Sequence, residues 1–89
     1  MKKVLLVYDI AEERLPVVYK ICKKYLHWVQ NSVFEGELTR GKINALIREL
    51  ESVINEEEDS IVLYIYSQNS EIGRISLGLQ VDEVDNFMI

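Results

Sequence analysis

The feature that constrains this chain most is an apolar stretch at residues 4–10, which reads V-L-L-V-Y-D-I. An unbroken aliphatic run beside a tyrosine predicts a central β-strand that is covered on both faces. Because side chains alternate along a strand, Val4, Leu6 and Tyr8 share one face. Asp9 shares the other face with two aliphatic residues. The sequence therefore places a carboxylate at the end of a strand that should otherwise be buried.

Asp9 has two explanations at this point. An ionised carboxylate is costly to bury without a partner, so its position requires a reason. The structural explanation is a helix cap, since residues 9–12 read D-I-A-E and fit the D-x-x-E form of a capping box. The functional explanation is a metal-binding or catalytic carboxylate displayed at a strand end. This stretch alone favours neither, because caps between a strand and a helix are common.

The length of 89 residues predicts one domain, and 48% hydrophobic residues is a high fraction for so short a chain. Oligomerisation is one way to cover the excess apolar surface. The single cysteine, Cys22, excludes an intrachain disulfide and indicates a reducing cytoplasm. The apolar run near the start is too short for a signal peptide, and no other run approaches the length of a membrane span. We therefore expect a cytoplasmic protein with no membrane partner.

The net charge of −5 argues against a nucleic-acid partner, but its distribution argues for one. Residues 1–48 hold nine basic and five acidic residues, whereas residues 49–89 hold one basic and ten acidic residues. This polarity predicts a protein with one basic face. Lys20, Lys23 and His27 line up at helical spacing, either as a solvated surface or as a phosphate-binding stripe. The candidate phosphate contacts are Arg14, Lys20, Lys23, Lys24, Arg40 and Lys42.

The first half of the chain predicts a helix and then strand structure. The helix begins near Glu12 or Glu13 and runs to about Leu26, and its core-facing residues are Leu15, Val18, Cys22 and Tyr25. Cys22 is interpreted as a core residue. Residues 28–38 are rich in strand formers, but polar and apolar residues fall on both faces. A bend or bulge near Asn31 and Ser32, or a break into two short strands, would resolve this conflict.

The second half predicts a helix that Thr39 caps and that ends near Asn55. The acidic run at residues 56–59 is interpreted as a solvated turn. Strands follow at residues 60–66 and 72–79, joined by a turn at residues 68–70. This order gives a two-layer α+β sandwich with both helices on one face of a mainly antiparallel sheet. A second copy of the chain is the natural cover for the other face.

We assign residues 1–81 to this domain. Residues 82–89 start acidic and end in F-M-I, and we expect this C-terminal segment to dock on the partner subunit.

Two stretches together carry a family resemblance. V-Y-D-I at the end of the first strand, with W-V-Q-N-S-V-F-E-G-E-L after the first helix, resembles the small CRISPR-associated adaptation proteins of the Cas2 family. The resemblance implies a ferredoxin-like fold and a tight homodimer. It also implies that Asp9 of each subunit is catalytic, faces its mate across the two-fold axis and shares a divalent metal, usually Mg²⁺. Tyr8 and Phe34 match motif positions that flank this site.

The resemblance also implies functions. In the family, the dimer joins the larger integrase, Cas1, and the assembly captures foreign DNA as new spacers. Members are described as nucleases that cut single-stranded RNA or duplex DNA. Many members carry several basic residues early in the first helix and just before the V-Q of the second strand. In this chain the start of the first helix has only Arg14 as a basic residue, and Trp28 precedes Val29.

Three functions remain open from the sequence. The first is a magnesium-dependent endonuclease or endoribonuclease, and the second is a non-catalytic adaptor that bridges integrase dimers and supports spacer DNA. The third is a small ferredoxin-like dimerisation or regulatory module unrelated to nucleic acid, which the fold alone does not exclude.

Overall fold

The computed structural model describes residues 1–79. Within these residues, five strands and two α-helices follow one another, with a short 3₁₀ helix at Glu12–Arg14 before the first α-helix. The elements are β1 (Lys2–Asp9), α1 (Leu15–Tyr25), β2 (His27–Gln30), β3 (Val33–Leu38), α2 (Arg40–Glu51), β4 (Ser60–Ser67) and β5 (Ser70–Gly78).

The strands form one antiparallel sheet in the order β2-β3-β1-β4-β5. The first strand of the chain therefore occupies the centre, between β3 and β4. The first four strands and the two helices have the β-α-β-β-α-β order of a ferredoxin-like fold, and β5 extends the sheet as a hairpin. The predicted α+β sandwich is confirmed.

The core lies between the two helices and one face of the sheet. Val4, Leu6 and Tyr8 of β1 are buried in it, together with residues from both helices. Asp9 is exposed on the opposite face, as the alternation along β1 predicts. Within residues 1–79, no helix packs against that second face, which we call the open face.

The stretch at residues 28–38 is two strands rather than one bent strand. Asn31 has a left-handed backbone with φ of 45°, a conformation that asparagine tolerates better than most residues. The pairing register also shifts between Trp28 and Gln30. The hairpin and the bulge together explain why the polar and apolar positions of this stretch did not fit a single alternation.

Helix α2 begins as predicted and ends earlier than predicted. Thr39 is its N-cap, and the side-chain oxygen accepts a hydrogen bond from the Lys42 amide at 3.2 Å. The helix ends at Glu51, four residues before Asn55. Ser52 follows as the C-cap, and its hydroxyl donates to the Glu49 carbonyl at 2.7 Å. Local side-chain bonds of this kind compete with the backbone hydrogen bonds that would continue the helix.

The β4–β5 hairpin turns at Gln68 and Asn69, whose φ angles are 52° and 69°. Two left-handed residues in a two-residue connection match the twist of the flanking strands. The predicted end of the domain at residue 81 and the predicted docking of residues 82–89 lie outside the described residues. None of the helices in residues 1–79 is long and apolar enough to cross a membrane.

Candidate functional site

Asp9 lies at the end of the central strand with its side chain exposed on the open face. It sits opposite Ser60 of β4 in the antiparallel register. No other residue of the described chain hydrogen-bonds or ion-pairs with its carboxylate. The capping explanation is wrong, because the 3₁₀ helix that follows has Ala11 at its N-cap and no side-chain capping bond.

The open face beside Asp9 is apolar. Val7, two residues earlier on β1, pairs with Val33 of β3 and with Val62 of β4. Directly paired residues in an antiparallel sheet project to the same face, so these three valines form a strip next to the carboxylate. The site thus combines one free carboxylate with a small apolar surface.

Tyr8 and Phe34, the predicted flanking residues, lie on the helix-covered face rather than beside the carboxylate. Their ring centroids are 6.1 Å apart, and Tyr19 of α1 packs edge-on against Phe34 at 5.5 Å. Burial raises the pKa of Tyr8, and the nearby Cys22 and Tyr19 raise it further. These rings fix β1 against β3 from inside the core.

A buried ion pair that the sequence did not reveal lies just behind Asp9. Asp59 is fully buried, so its interpretation as part of a solvated turn is wrong. Its carboxylate accepts hydrogen bonds from Arg14 Nε at 2.5 Å and Nη2 at 3.1 Å. The amides of Ala11 and Asn55 donate to the same carboxylate at 2.9 and 2.8 Å. The only sequence signal was the position of Asp59, directly before a strongly apolar strand.

The Arg14–Asp59 pair is held ionised by its own contacts. The hydrogen bonds from Arg14 lower the pKa of Asp59 to about 2, and they outweigh the effect of burial, which acts in the opposite direction. The same bonds, with help from Glu58, raise the pKa of Arg14. A charged pair with several satisfying hydrogen bonds is the form in which a buried carboxylate is tolerated.

This pair fixes the backbone on both sides of Asp9. Ala11 lies two residues after Asp9, and Asp59 directly precedes Ser60, which pairs with Asp9. The end of β5 also closes on the pair, since the Leu79 amide donates to the Asp59 carbonyl at 2.7 Å. We therefore assign Arg14 and Asp59 as positioning residues for Asp9.

Gly78 allows this close approach of β5. Its φ is +79°, and a Cβ atom at this position would lie 2.2 Å from the Asp59 carbonyl oxygen. Both the left-handed backbone and the lack of space require glycine here.

The structure does not bring the six candidate phosphate contacts together. Arg14 is engaged by carboxylates, and Lys24 pairs with Glu49 at 2.5 Å. Tyr25 donates to the same carboxylate, and the two donors lower the pKa of Glu49. The other four cations are exposed and have no ion pair among residues 1–79, namely Lys20, Lys23, Arg40 and Lys42.

These four cations lie in two groups. Arg40 and Lys42 occupy the first turn of α2, close to the start of β1 and thus at the far end of the strand from Asp9. Lys20 and Lys23 lie along α1. His27 does not continue their stripe, because it belongs to β2 and pairs with Glu35 of β3.

The donor set on one chain fits a partial magnesium site. Within residues 1–79, no group of three His, Cys, Asp or Glu side chains is placed to hold a metal ion. Magnesium usually keeps several waters and takes one or two carboxylates with substrate phosphate oxygens. Asp9 can supply one such carboxylate per chain, so a complete site needs a second copy. Cys22 offers nothing here, because it is buried in the core and burial raises its pKa to about 12.

Fold and site together define a class, a small ferredoxin-like protein with a free carboxylate at the end of its central strand. Residues 1–72 match the family described as CRISPR associated protein Cas2. The chain belongs to the Cas2 family.

Relatives and solved structures agree. The chain is 44% identical over 88 residues to "CRISPR-associated endoribonuclease Cas2 3" of Thermodesulfovibrio yellowstonii, which covers 99% of this chain and 100% of the relative. It is 41% identical over 85 residues to "CRISPR-associated endoribonuclease Cas2" of Dictyoglomus turgidum, covering 96% and 98%.

A structure titled "Crystal structure of cas2" has a TM-score of 0.73 at 36% identity, over 93% of this chain and 91% of that one. Cas2 of Streptococcus pyogenes at pH 6.5 has a TM-score of 0.68 at 37% identity, over 75% of this chain and 88% of that one. The resemblance carried by the sequence motifs is confirmed.

Proposed function

We propose that this chain is a magnesium-dependent endoribonuclease that works as a homodimer, with the Asp9 carboxylates of the two subunits sharing one metal site. The observation that carries the proposal is the exposed carboxylate of Asp9, which has no hydrogen bond or ion pair from the rest of residues 1–79. Such a group on an apolar sheet face that no helix of residues 1–79 covers is placed for a ligand or a second copy. The relatives named as endoribonucleases support the reaction class.

The residues of the chain would divide the work as follows. Each Asp9 supplies carboxylate oxygens, and the Arg14–Asp59 pair behind it keeps the strand end in place. The valine strip allows close approach of a partner subunit. Bound Mg²⁺ would lower the pKa of a water and neutralise charge on the scissile phosphate. Two carboxylates close together also require a cation or a shared proton between them, because like charges disfavour joint ionisation.

The test is the Asp9→Asn variant with single-stranded RNA and, separately, duplex DNA. Asparagine keeps the shape of the side chain and removes the charge, so we expect magnesium-dependent cleavage to be lost without unfolding. Glu37→Gln is the matched control, since it removes an exposed carboxylate from the other end of the sheet. Product formation on gels and thermal unfolding are measured for each variant. Normal cleavage by Asp9→Asn at equal purity would show that the catalytic assignment is wrong.

A second role is favoured by the sparseness of the site. In the described part of the chain, no histidine, lysine or second carboxylate contacts Asp9, so one subunit offers a single catalytic group. We therefore also propose that the dimer acts in the cytoplasm as an adaptor for the Cas1 integrase in CRISPR adaptation. Asp9→Asn should then still support spacer acquisition together with Cas1. Loss of acquisition in a folded, dimeric Asp9→Asn protein would contradict the adaptor role.

A further inference from the structure

We propose that the edge of the molecule formed by α1 and β2 binds single-stranded RNA, with bases stacking on Trp28 and Tyr19 and phosphates pairing with Lys20 and Lys23. We call these four residues the stacking edge. The choice of RNA as the ligand rests on the endoribonuclease function proposed above, whereas the stacking surface itself does not depend on catalysis by Asp9.

Phe34 brings the two aromatic side chains to the same edge. Trp28 lies directly opposite Phe34 in the β2–β3 pairing, so both project toward the helix layer. Tyr19 packs edge-on against the Phe34 ring, with centroids 5.5 Å apart. Phe34 is fully buried, whereas Trp28 and Tyr19 remain 49% and 39% exposed. The two exposed rings therefore flank one buried ring at the border of the sheet.

The indole of Trp28 is held in place by the backbone. Its Nε1 donates to the Asn31 carbonyl at 3.0 Å, across the tight turn that ends β2. The bond satisfies the polar atom of the indole and leaves ring surface exposed. A side chain that is already ordered loses less conformational entropy on binding, so it makes a better stacking platform.

The charge around these rings is positive. Residues 15–25 of α1 include three lysines and no acidic residue. Lys23 Nζ lies 6.0 Å from the centre of the Tyr19 ring, and Lys20 is one turn away on the helix surface. Neither lysine has an ion pair with the described residues, whereas Lys24 on the α2 side is paired with Glu49. In a chain of net charge −5, this edge is a local site for an anion.

Exposed aromatic rings beside unpaired lysines fit single-stranded nucleic acid better than a protein surface. Proteins that bind single strands combine rings on which bases stack with cations that follow the phosphates. Lysine is depleted in protein–protein interfaces. A duplex hides its bases from stacking with side chains, so the stacking edge should prefer a single strand.

The stacking edge is also near Asp9. The Tyr8 amide donates to the Ser32 carbonyl at 3.1 Å, which ties the turn after Trp28 to the residue before Asp9. Trp28 is two strands away from β1, about 10 Å across the sheet, and level with Leu6, about 10 Å along the strand from Asp9. Trp28 faces the helix layer and Asp9 faces the open side of the sheet, so a strand bound at this edge would have to pass around the edge of the sheet to reach the carboxylate.

The experiment uses Trp28, the only tryptophan of the chain, as the reporter. The full-length Asp9→Asn protein is titrated with a short oligouridine, so that the ligand is not consumed, and tryptophan fluorescence is followed. We expect quenching by the single strand, and binding that weakens with salt at a slope of about −0.7 per phosphate contact. Inorganic polyphosphate carries the charge without bases and should not quench, and duplex RNA should bind more weakly.

Variants separate stacking from general electrostatic attraction. Tyr19→Leu should weaken oligouridine binding at least about fivefold, the lower end of what one stacked base contributes, whereas Tyr19→Phe should bind as the parent does. Lys23→Gln should weaken binding, and Lys2→Gln, which removes one charge at the far end of β1, should not. Circular dichroism checks that each variant is folded.

The outcomes are distinguishable from failure of the catalytic assignment. Equal quenching by polyphosphate, or unchanged affinity in Tyr19→Leu, overturns the stacking edge. Quenching that follows protein concentration rather than RNA shows that another protein surface covers Trp28, and this also overturns the proposal. Normal cleavage by Asp9→Asn would refute Asp9 as the catalytic residue, and the same titration repeated without Mg²⁺ would still test the stacking edge.

Discussion

Among single residues, Asp59 organises most of the polar structure around Asp9. Its carboxylate accepts hydrogen bonds from the Arg14 side chain and from two backbone amides. Its backbone carbonyl accepts one from the amide of Leu79, directly after β5. Removing one partner of a buried pair leaves an uncompensated charge, which is strongly destabilising. We therefore expect acid to destabilise this fold through protonation of Asp59.

We expect Asp59 to make the stability of the protein depend on pH in a narrow acidic window. Its pKa is lowered from an ordinary 3.8 to about 2, so below about pH 4 the unfolded chain binds more protons than the folded chain. The contribution, about 2 kcal/mol of unfolding free energy, is fully present above about pH 5 and is lost as the pH falls toward 2.

Urea denaturation at a series of pH values measures this effect. Asp59→Asn should lower stability at neutral pH and remove the acid-dependent loss that Asp59 causes. Glu57→Gln, which changes an exposed carboxylate of the same loop, is the control and should follow the parent protein. An Asp59→Asn protein with the same acid profile as the parent would assign the acid sensitivity to other groups.

The helices and strands themselves were largely predictable, because each has a local cause in the sequence. The alternation in β1 and the cap at Thr39 appear in the structure at the predicted positions. The early end of α2 was not predicted, since Val53 and Ile54 continue the apolar stripe and still pack against the core from a non-helical turn. Apolar spacing reports burial, but it does not report where the backbone stops being helical.

The cap of α2 gives a prediction at this level. Thr39→Ala removes the acceptor for the Lys42 amide and should lower the unfolding free energy by about 1 kcal/mol. Thr39→Ser keeps a hydroxyl at the same place and should retain most of the stability. Thermal unfolding compares the two variants with the parent. Equal destabilisation by alanine and serine would mean that the methyl group of Thr39, rather than its oxygen, stabilises the helix start.

For the whole molecule, the sequence predicted the layers and the position of Asp9 at the end of the central strand but missed the polar contacts between distant segments. Arg14 was a candidate for phosphate binding, yet its partners Glu58 and Asp59 lie more than forty positions away in the chain. No periodicity or spacing in the sequence predicts an ion pair between such distant positions. The position of Asp9, in contrast, follows from the two-residue period of one strand.

The open face gives a prediction for assembly. If two copies meet there, Val7→Lys places a charge in the interface without entering the core, because Val7 faces away from both helices. Burying an unpaired charge should weaken the dimer more than about a hundredfold. Val17→Lys, at an exposed apolar position of α1, is the control. Light scattering at several concentrations should show monomers only for Val7→Lys, and an unchanged dimer would place the interface elsewhere.

The pairing of Arg14 with Asp59 has a consequence for the evolution of the family. Because either residue alone would leave a buried charge, we expect substitutions at these two positions to occur together across lineages. Glu56 and Glu57 are exposed and have no ion pair with the described residues, so they should change independently of Arg14, whereas the exposed Glu58 contacts Arg14 and should be weakly coupled to it. An acidic run that looks uniform in composition would then consist of one position under strong joint selection, one that is weakly coupled to Arg14 and two that drift.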